Sequence, residues 1–152
     1  MKKIKNLKVV IVSGYFNPLH AGHIRLLKDA AKLGDYLFVI INNDAEVIIK
    51  GSKQFMSAKE RAEIVGSLKF VDETFISVDV RDGTVCKTLD WCVKALKSMK
   101  EYEFELIFAN GGDRKFKGDI PERFVCYNHG IKMVFGVGGK KIQSSSKLLK
   151  KK

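Results

Sequence analysis

The sequence predicts an α/β fold of Rossmann-like form, a five-stranded parallel sheet with helices on both faces. Three observations carry that expectation. Short, nearly continuous apolar runs recur along the chain, as in strands buried on both faces. Amphipathic stretches at helical spacing alternate with them. The junctions hold the glycines, prolines and Ser, Asn or Asp caps that punctuate such units.

Residues 7–12 are the first apolar run, which ends at Ser13-Gly14. Across residues 22–33, Ile24, Leu27, Ala30, Ala31 and Leu33 recur at helical spacing, and Gly34 stands where a helix end favours glycine. Residues 36–41 form the next strand and close a βαβ unit, whose crossover is expected to be right-handed. Residues 42–56 read as a loop. Ser57 and Glu60 have capping-box spacing, with Ala58, Ala62, Val65 and Leu68 on the inward face of the helix they open. Residues 75–80 are the third strand, and Val85, Leu89, Cys92, Val93, Leu96 and Met99 trace the helix after Asp82-Gly83-Thr84. Residues 104–109 make the fourth strand, residues 121–129 a helix opened by proline, and residues 131–135 the fifth strand. Ser144-Ser145-Ser146 caps a short final helix through Leu149. Trp91 and the phenylalanines fall mostly in strands or on amphipathic faces and are assigned to the core.

With 152 residues, 45% hydrophobic and 30% charged, the chain has the size of one domain, residues 1–152, with Lys-rich terminal segments. No apolar stretch approaches the roughly 18 residues of a membrane span and no signal-peptide pattern precedes the domain, so a cytoplasmic protein is expected. Cys86, Cys92 and Cys126 are odd in number and include no Cys-x-x-Cys pair, which excludes a disulfide framework or zinc knuckle and leaves inert thiols. The net charge of +11 raises the question of a nucleic-acid partner. Lys2, Lys3, Lys5 and Lys8 at one end and Lys147, Lys150, Lys151 and Lys152 at the other account for eight of those charges and leave +3. No aromatic residues interleave with these lysines, so they read as solvated tails and nucleic acid is not the expected partner.

Ligands of parallel sheets bind beyond the carboxyl ends of the strands, where strand order reverses. Residues 13–23, 42–56, 110–118 and 136–146 are expected to gather there. His20 and His23, spaced by three at the start of the first helix, fall on one side of a helical turn. Their imidazoles can donate hydrogen bonds to phosphate oxygens, Gly22 lets the backbone come close, and the helix N-terminus adds its own N–H groups. A zinc pair needs further ligands, and His129, the remaining histidine, lies in a distant helix, so no protein-only metal site is expected.

Residues 14–23, Gly-Tyr-Phe-Asn-Pro-Leu-His-Ala-Gly-His, resemble the signature of the cytidylyltransferase-like nucleotidyltransferases, which include glycerol-3-phosphate cytidylyltransferase and the heptose-phosphate, phosphopantetheine and NMN adenylyltransferases. The likeness continues with Lys50 and Lys53 before an Arg61-bearing helix, with Asn110-Gly111-Gly112-Asp113 after a core strand, and with the closing Ser144-Ser145-Ser146-Lys147. It implies that His20 and His23 hold the α- and β-phosphates, that Lys50 and Lys53 close over the substrate and triphosphate, and that Arg61 supports them. It implies nucleotide contacts from Gly14, Tyr15, Phe16, Asn17, Gly22, Gly112, Asp113, Ser144, Ser145 and Ser146, with Mg2+ arriving on the nucleoside triphosphate. A substrate phosphate is already an ionised nucleophile, so catalysis reduces to positioning and charge stabilisation. The reaction so implied is CMP transfer from CTP to a small phosphorylated or phosphonylated alcohol, releasing pyrophosphate. ATP is the alternative donor, since Asn17-Pro18 is nearer the adenylyltransferase form while the serine motif is nearer the glycerol-phosphate and heptose-phosphate branch. A non-catalytic nucleotide- or RNA-binding module is the alternative of another class. Family members often form a homodimer, and this sequence shows no interface.

Overall fold

The computed structural model describes residues 4–80, 82–112 and 120–150. The strands β1 (Lys5–Gly14), β2 (Tyr36–Ile41), β3 (Glu73–Ile76), β4 (Tyr102–Gly111) and β5 (Lys132–Val137) form one parallel sheet in the order β3-β2-β1-β4-β5. Between them run α1 (Ala21–Ala31), α2 (Asp44–Ile49), α3 (Ala58–Gly66), α4 (Cys86–Lys97) and α5 (Arg123–His129), and α6 (Ser145–Lys150) follows β5. The chain winds outward through β2 and β3, returns to the other side of β1 for β4, and continues to β5. The strand order therefore reverses between β1 and β4, whose carboxyl ends are Gly14 and Gly111.

Alternation along β1 explains the two layers. Val10 and Val12 pack with Leu27 and Ala30 of α1 and Val65 of α3, while Val9 and Ile11 pack with Leu89 and Val93 of α4 and Cys126 of α5. Each of these side chains is nearly or fully withdrawn from solvent. Burial on this scale stabilises the fold by about 1.5–3 kcal/mol per large aliphatic side chain. The two-sided burial is why these strands read as unbroken apolar runs.

The structure departs from the sequence reading in four places. The stretch 42–56 is not all loop, because α2 forms within it. Asn43 caps α2 by accepting the Glu46 amide at 3.0 Å, and a helix of 6 residues is too short for its periodicity to stand out. β3 covers Glu73–Ile76 rather than 75–80, pairing only as far as Ile41 of β2. Beyond it, Ser77 accepts the Asn43 amide and Asp79 accepts the amides of Lys87 and Thr88, so polar bonds replace the ladder. Trp91 is 55% exposed rather than in the core. α4 buries Thr88, Leu89, Cys92 and Val93, which leaves Trp91 outside that face, stacked on Phe75 at 5.2 Å. Met99 is likewise exposed, past the end of α4. Among the described residues no helix is long and apolar enough to cross a membrane, and all three cysteines are free.

Candidate active site

A cleft of about 270 Å³ opens at the switch point between β1 and β4. Its walls are the end of β1 with the loop into α1, the end of β4, and the turn from β5 to α6. The third wall comes close because Gly138, at φ 84°, lies against α1. A Cβ there would stand 2.8 Å from the Leu26 Cα.

The loop from β1 to α1 delivers the two imidazoles in a fixed form. His20 is the N-cap of α1, and its Nδ1 accepts the Gly22 amide at 3.1 Å. The His23 Nδ1 accepts the His20 amide at 3.2 Å, completing a reciprocal capping box built from histidines. An imidazole that accepts through Nδ1 carries its proton on Nε2, so each ring keeps one N–H donor that the capping bonds do not use. The rings stack at 3.7 Å between centroids, and Phe16 meets His23 edge-on at 4.9 Å. Gly22 makes this possible, since a Cβ there would lie 2.9 Å from the His20 Cε1.

Electrostatics keep the pair neutral. Burial lowers the His23 pKa to about 3, with the His20, Lys141 and Lys50 charges acting in the same direction. His20 is also lowered, by burial and then by Lys141. Arg25, Lys50, Lys140 and Lys141 line the cleft, and among the described residues no carboxylate does. Lys50 holds its Nζ 4.3 Å above the Tyr15 ring. Tyr15 in turn donates its hydroxyl to the Gly83 carbonyl at 3.4 Å. Neutral donors and surrounding cations make a site for a polyanion, with glycine-lined backbone close to it.

The cytidylyltransferase-like family model matches residues 11–119, which include the histidine loop and the end of β4. The chain belongs to this family. It is 47% identical over 77 residues to the FAD synthase of Thermococcus sibiricus, covering 50% of this chain and 51% of that one. It is 43% identical over 67 residues to glycerol-3-phosphate cytidylyltransferase of Bacillus subtilis, covering 44% and 52%. These matches span about half the length of each relative. A crystal structure of the lipopolysaccharide core biosynthesis protein from Thermoplasma volcanium superposes with a TM-score of 0.64 at 25% identity, covering 86% of this chain and 94% of that one.

Within this cytidylyltransferase-like site, Gly14, Tyr15, Phe16, His20, Gly22, His23, Lys50, Gly112, Ser144, Ser145 and Ser146 all line the cleft. Ser145 also ties the third wall to the first by donating its hydroxyl to the Pro18 carbonyl at 2.8 Å. Three other expected residues stand outside the cleft. Asn17 is 3% exposed; its Nδ2 donates to the Lys53 carbonyl at 2.8 Å and its Oδ1 accepts the Phe55 amide at 2.7 Å. It fastens the loop after α2 beneath the histidine loop. Lys53 contributes that carbonyl while its side chain lies in solvent. Arg61 is fully buried and donates to the carbonyls of Tyr15 at 2.6 Å, Asn42 at 2.7 Å and Met56 at 3.2 Å, and to Asp44 Oδ1 at 2.9 Å. It braces the site from behind instead of facing a triphosphate. Asp113 lies outside the described residues. Sequence reasoning passed over Arg25, Lys140 and Lys141. Arg25 follows Gly22 by three on α1, and the two lysines lie just ahead of the serine motif, so spacing from accepted motif residues was the available signal.

Proposed function

We propose that this chain transfers a nucleoside monophosphate from a nucleoside triphosphate to a small phosphate- or phosphonate-bearing alcohol, with release of pyrophosphate. The observation that carries the reading is the His20–His23 pair: both Nδ1 atoms are occupied by backbone amides and both Nε2–H groups are left as donors in a cation-lined cleft. An acceptor phosphate oxygen attacks the α-phosphorus. One O–P bond forms, the bond to the bridging oxygen breaks, and that oxygen leaves on pyrophosphate with its charge. The imidazole donors strengthen their hold as charge moves toward the leaving group, and no proton has to be removed from the ionised nucleophile.

Mg2+ enters this scheme on the triphosphate. Among the described residues no cluster of His, Cys, Asp and Glu is arranged to hold a metal ion, and the neutral imidazoles, amides and hydroxyls of the cleft suit phosphate oxygens. Magnesium carried on the triphosphate would neutralise phosphate charge, while Lys50, Arg25 and the third wall would orient the chain of phosphates. CTP is the donor we favour, supported by the glycerol-3-phosphate cytidylyltransferase relative. ATP is the second reading, favoured by the similarity to an FAD synthase, whose product carries adenosine. Incubation with each nucleoside triphosphate, magnesium and a panel of phosphorylated alcohols should release pyrophosphate with one donor. Equal release, or none, from wild type and His20→Ala across that panel would overturn the reading.

A further inference from the structure

We propose that Lys141, on the turn between β5 and α6, is a further phosphate-binding side chain of this cleft, its ammonium taking up a phosphate oxygen of the triphosphate beside the stacked His20–His23 pair. The inference rests on the nucleotidyl-transfer reading of the site and assigns a residue that lies outside the motifs singled out in the sequence.

Placement is the first argument. Lys141 lines the same cleft as both imidazoles. Its stem passes the end of β4: a Cβ on Gly112 would lie 3.6 Å from the Lys141 Cβ and 3.9 Å from its Cδ. These are ordinary van der Waals distances, so the aliphatic part of Lys141 lies alongside that strand end. Ser145, four residues later, bonds the Pro18 carbonyl, so the segment bearing Lys141 is anchored to the loop bearing His20. The lysine and the imidazoles are thus held on facing walls by bonds within the protein, before any ligand arrives.

Charge is the second argument. Lys141 acts on both histidines, opposing the protonation of each, whereas Lys50 acts on His23. Among the described residues its ammonium is a cation that acts on both rings. A positive charge that disfavours imidazolium in the empty cleft favours the same anion that the neutral Nε2–H groups are directed to receive. The division of labour is physical. The imidazoles supply directional hydrogen bonds without charge, and the lysine supplies charge with three rotatable donors, as suits a triphosphate whose oxygens shift during transfer. Lys140 lines the cleft as well but is not among the charges acting on either ring, so it serves as the internal control.

The test is calorimetric titration of magnesium pyrophosphate, and separately of CMP and AMP, into wild type, Lys141→Met, Lys141→Arg and Lys140→Met. Lys141→Met should weaken pyrophosphate binding about tenfold, as expected for a lost charge-assisted contact, and leave monophosphate binding within about twofold. Lys141→Arg should recover most of the affinity, and Lys140→Met should change it less than Lys141→Met does. A second readout separates charge from mere packing. In Lys141→Met the NMR titration midpoint of His20 should move up, because an opposing charge is gone. Unchanged pyrophosphate affinity in Lys141→Met would overturn the proposal, as would equal weakening of monophosphates and pyrophosphate. Pyrophosphate binding that depends on Lys141, in a protein that turns over no acceptor, would uphold this residue and sink the transfer reading alone.

Discussion

The α1 flank and the α2–α4 flank of the sheet's carboxyl edge meet at Tyr15, and they treat polar groups in opposite ways. On the α1 flank, His20 and His23 use one nitrogen each on backbone and leave the other toward an open cleft lined by cations. On the other flank, Glu46 is fully buried and Asp79, Glu122 and Arg61 nearly or fully so; Asp79 accepts two amides of α4, Glu122 accepts the Val85 amide at 3.0 Å, and Arg61 donates to four oxygens. One flank holds its spare donors in reserve toward an open cleft, and the other commits most of its polar atoms to the fold, with one oxygen each of Glu46 and Glu122 left buried and unbonded. A charged residue near a site is thus not thereby a site residue; its remaining donors decide.

The largest effect should fall on the reserve flank. On the proposed reading, His23→Ala and His20→Ala would each remove one Nε2–H donor from the transferring phosphates, and loss of one such donor typically lowers kcat by about 10²–10³-fold. Their double variant should fall by much less than the product of the two, since the rings act as one clamp. Pyrophosphate release at saturating nucleotide is the measurement. A decrease below about threefold in both single variants would remove the imidazole pair from the chemistry and dissolve the distinction between the flanks.

On the committed flank the effect should appear as stability. Arg61→Met leaves the carbonyls of Tyr15, Asn42 and Met56 without their donor inside the fold, and it unpairs Asp44. Asp44 is partly exposed, which softens the penalty, so the expected loss is about 3 kcal/mol in urea-induced unfolding. Because Arg61 also holds the Tyr15 carbonyl, activity should decline too, but nucleotide affinity should fall less than in the histidine variants. A variant with unaltered stability and lost triphosphate binding would transfer Arg61 to the reserve flank.

Much of this division was legible before the fold was known, though unevenly. The parallel sheet could be read because two-sided burial imposes continuous apolar runs, and the cleft because His20, Gly22 and His23 sit together at a helix start. The histidine capping box was not legible, since it depends on ring orientation. The orientation of Arg61 was not legible for a related reason: a guanidinium five residues beyond Met56 can face a ligand or turn inward onto carbonyls, and only the packing of α3 on the β1–α1 loop decides. α2 escaped notice because its cap, Asn43, is also a common loop residue. Lys141 escaped because a lysine in a lysine-rich segment carries no periodic signal, and only the fold sets it on the wall facing the imidazoles.

The smallest effect should show the two flanks titrating with opposite sign. Burial raises the Glu46 carboxyl to about 7, Asp79 and Asp82 adding to it, while its bonds from Asn42 and Ser77 oppose the rise. In the unfolded chain the group returns to about 4.3. The native state therefore holds a proton that the unfolded chain has lost, and the stabilisation present below pH about 4.3 is lost as pH rises through about 7. His23, lowered to about 3, contributes stability that is present above about 6.5, its unfolded value, and is lost as pH falls through about 3. Glu46→Gln mimics the protonated carboxyl and can still accept from Asn42. It should abolish the alkaline decline, on the order of 2 kcal/mol, and leave the acid decline of His23 in place. Urea unfolding from pH 3 to 8 checks both limbs. If wild type and Glu46→Gln lose stability in parallel between pH 5 and 8, Glu46 is not held in its protonated form by the fold, and the α2–α4 flank must be carrying an ionised carboxylate that its neighbours accommodate.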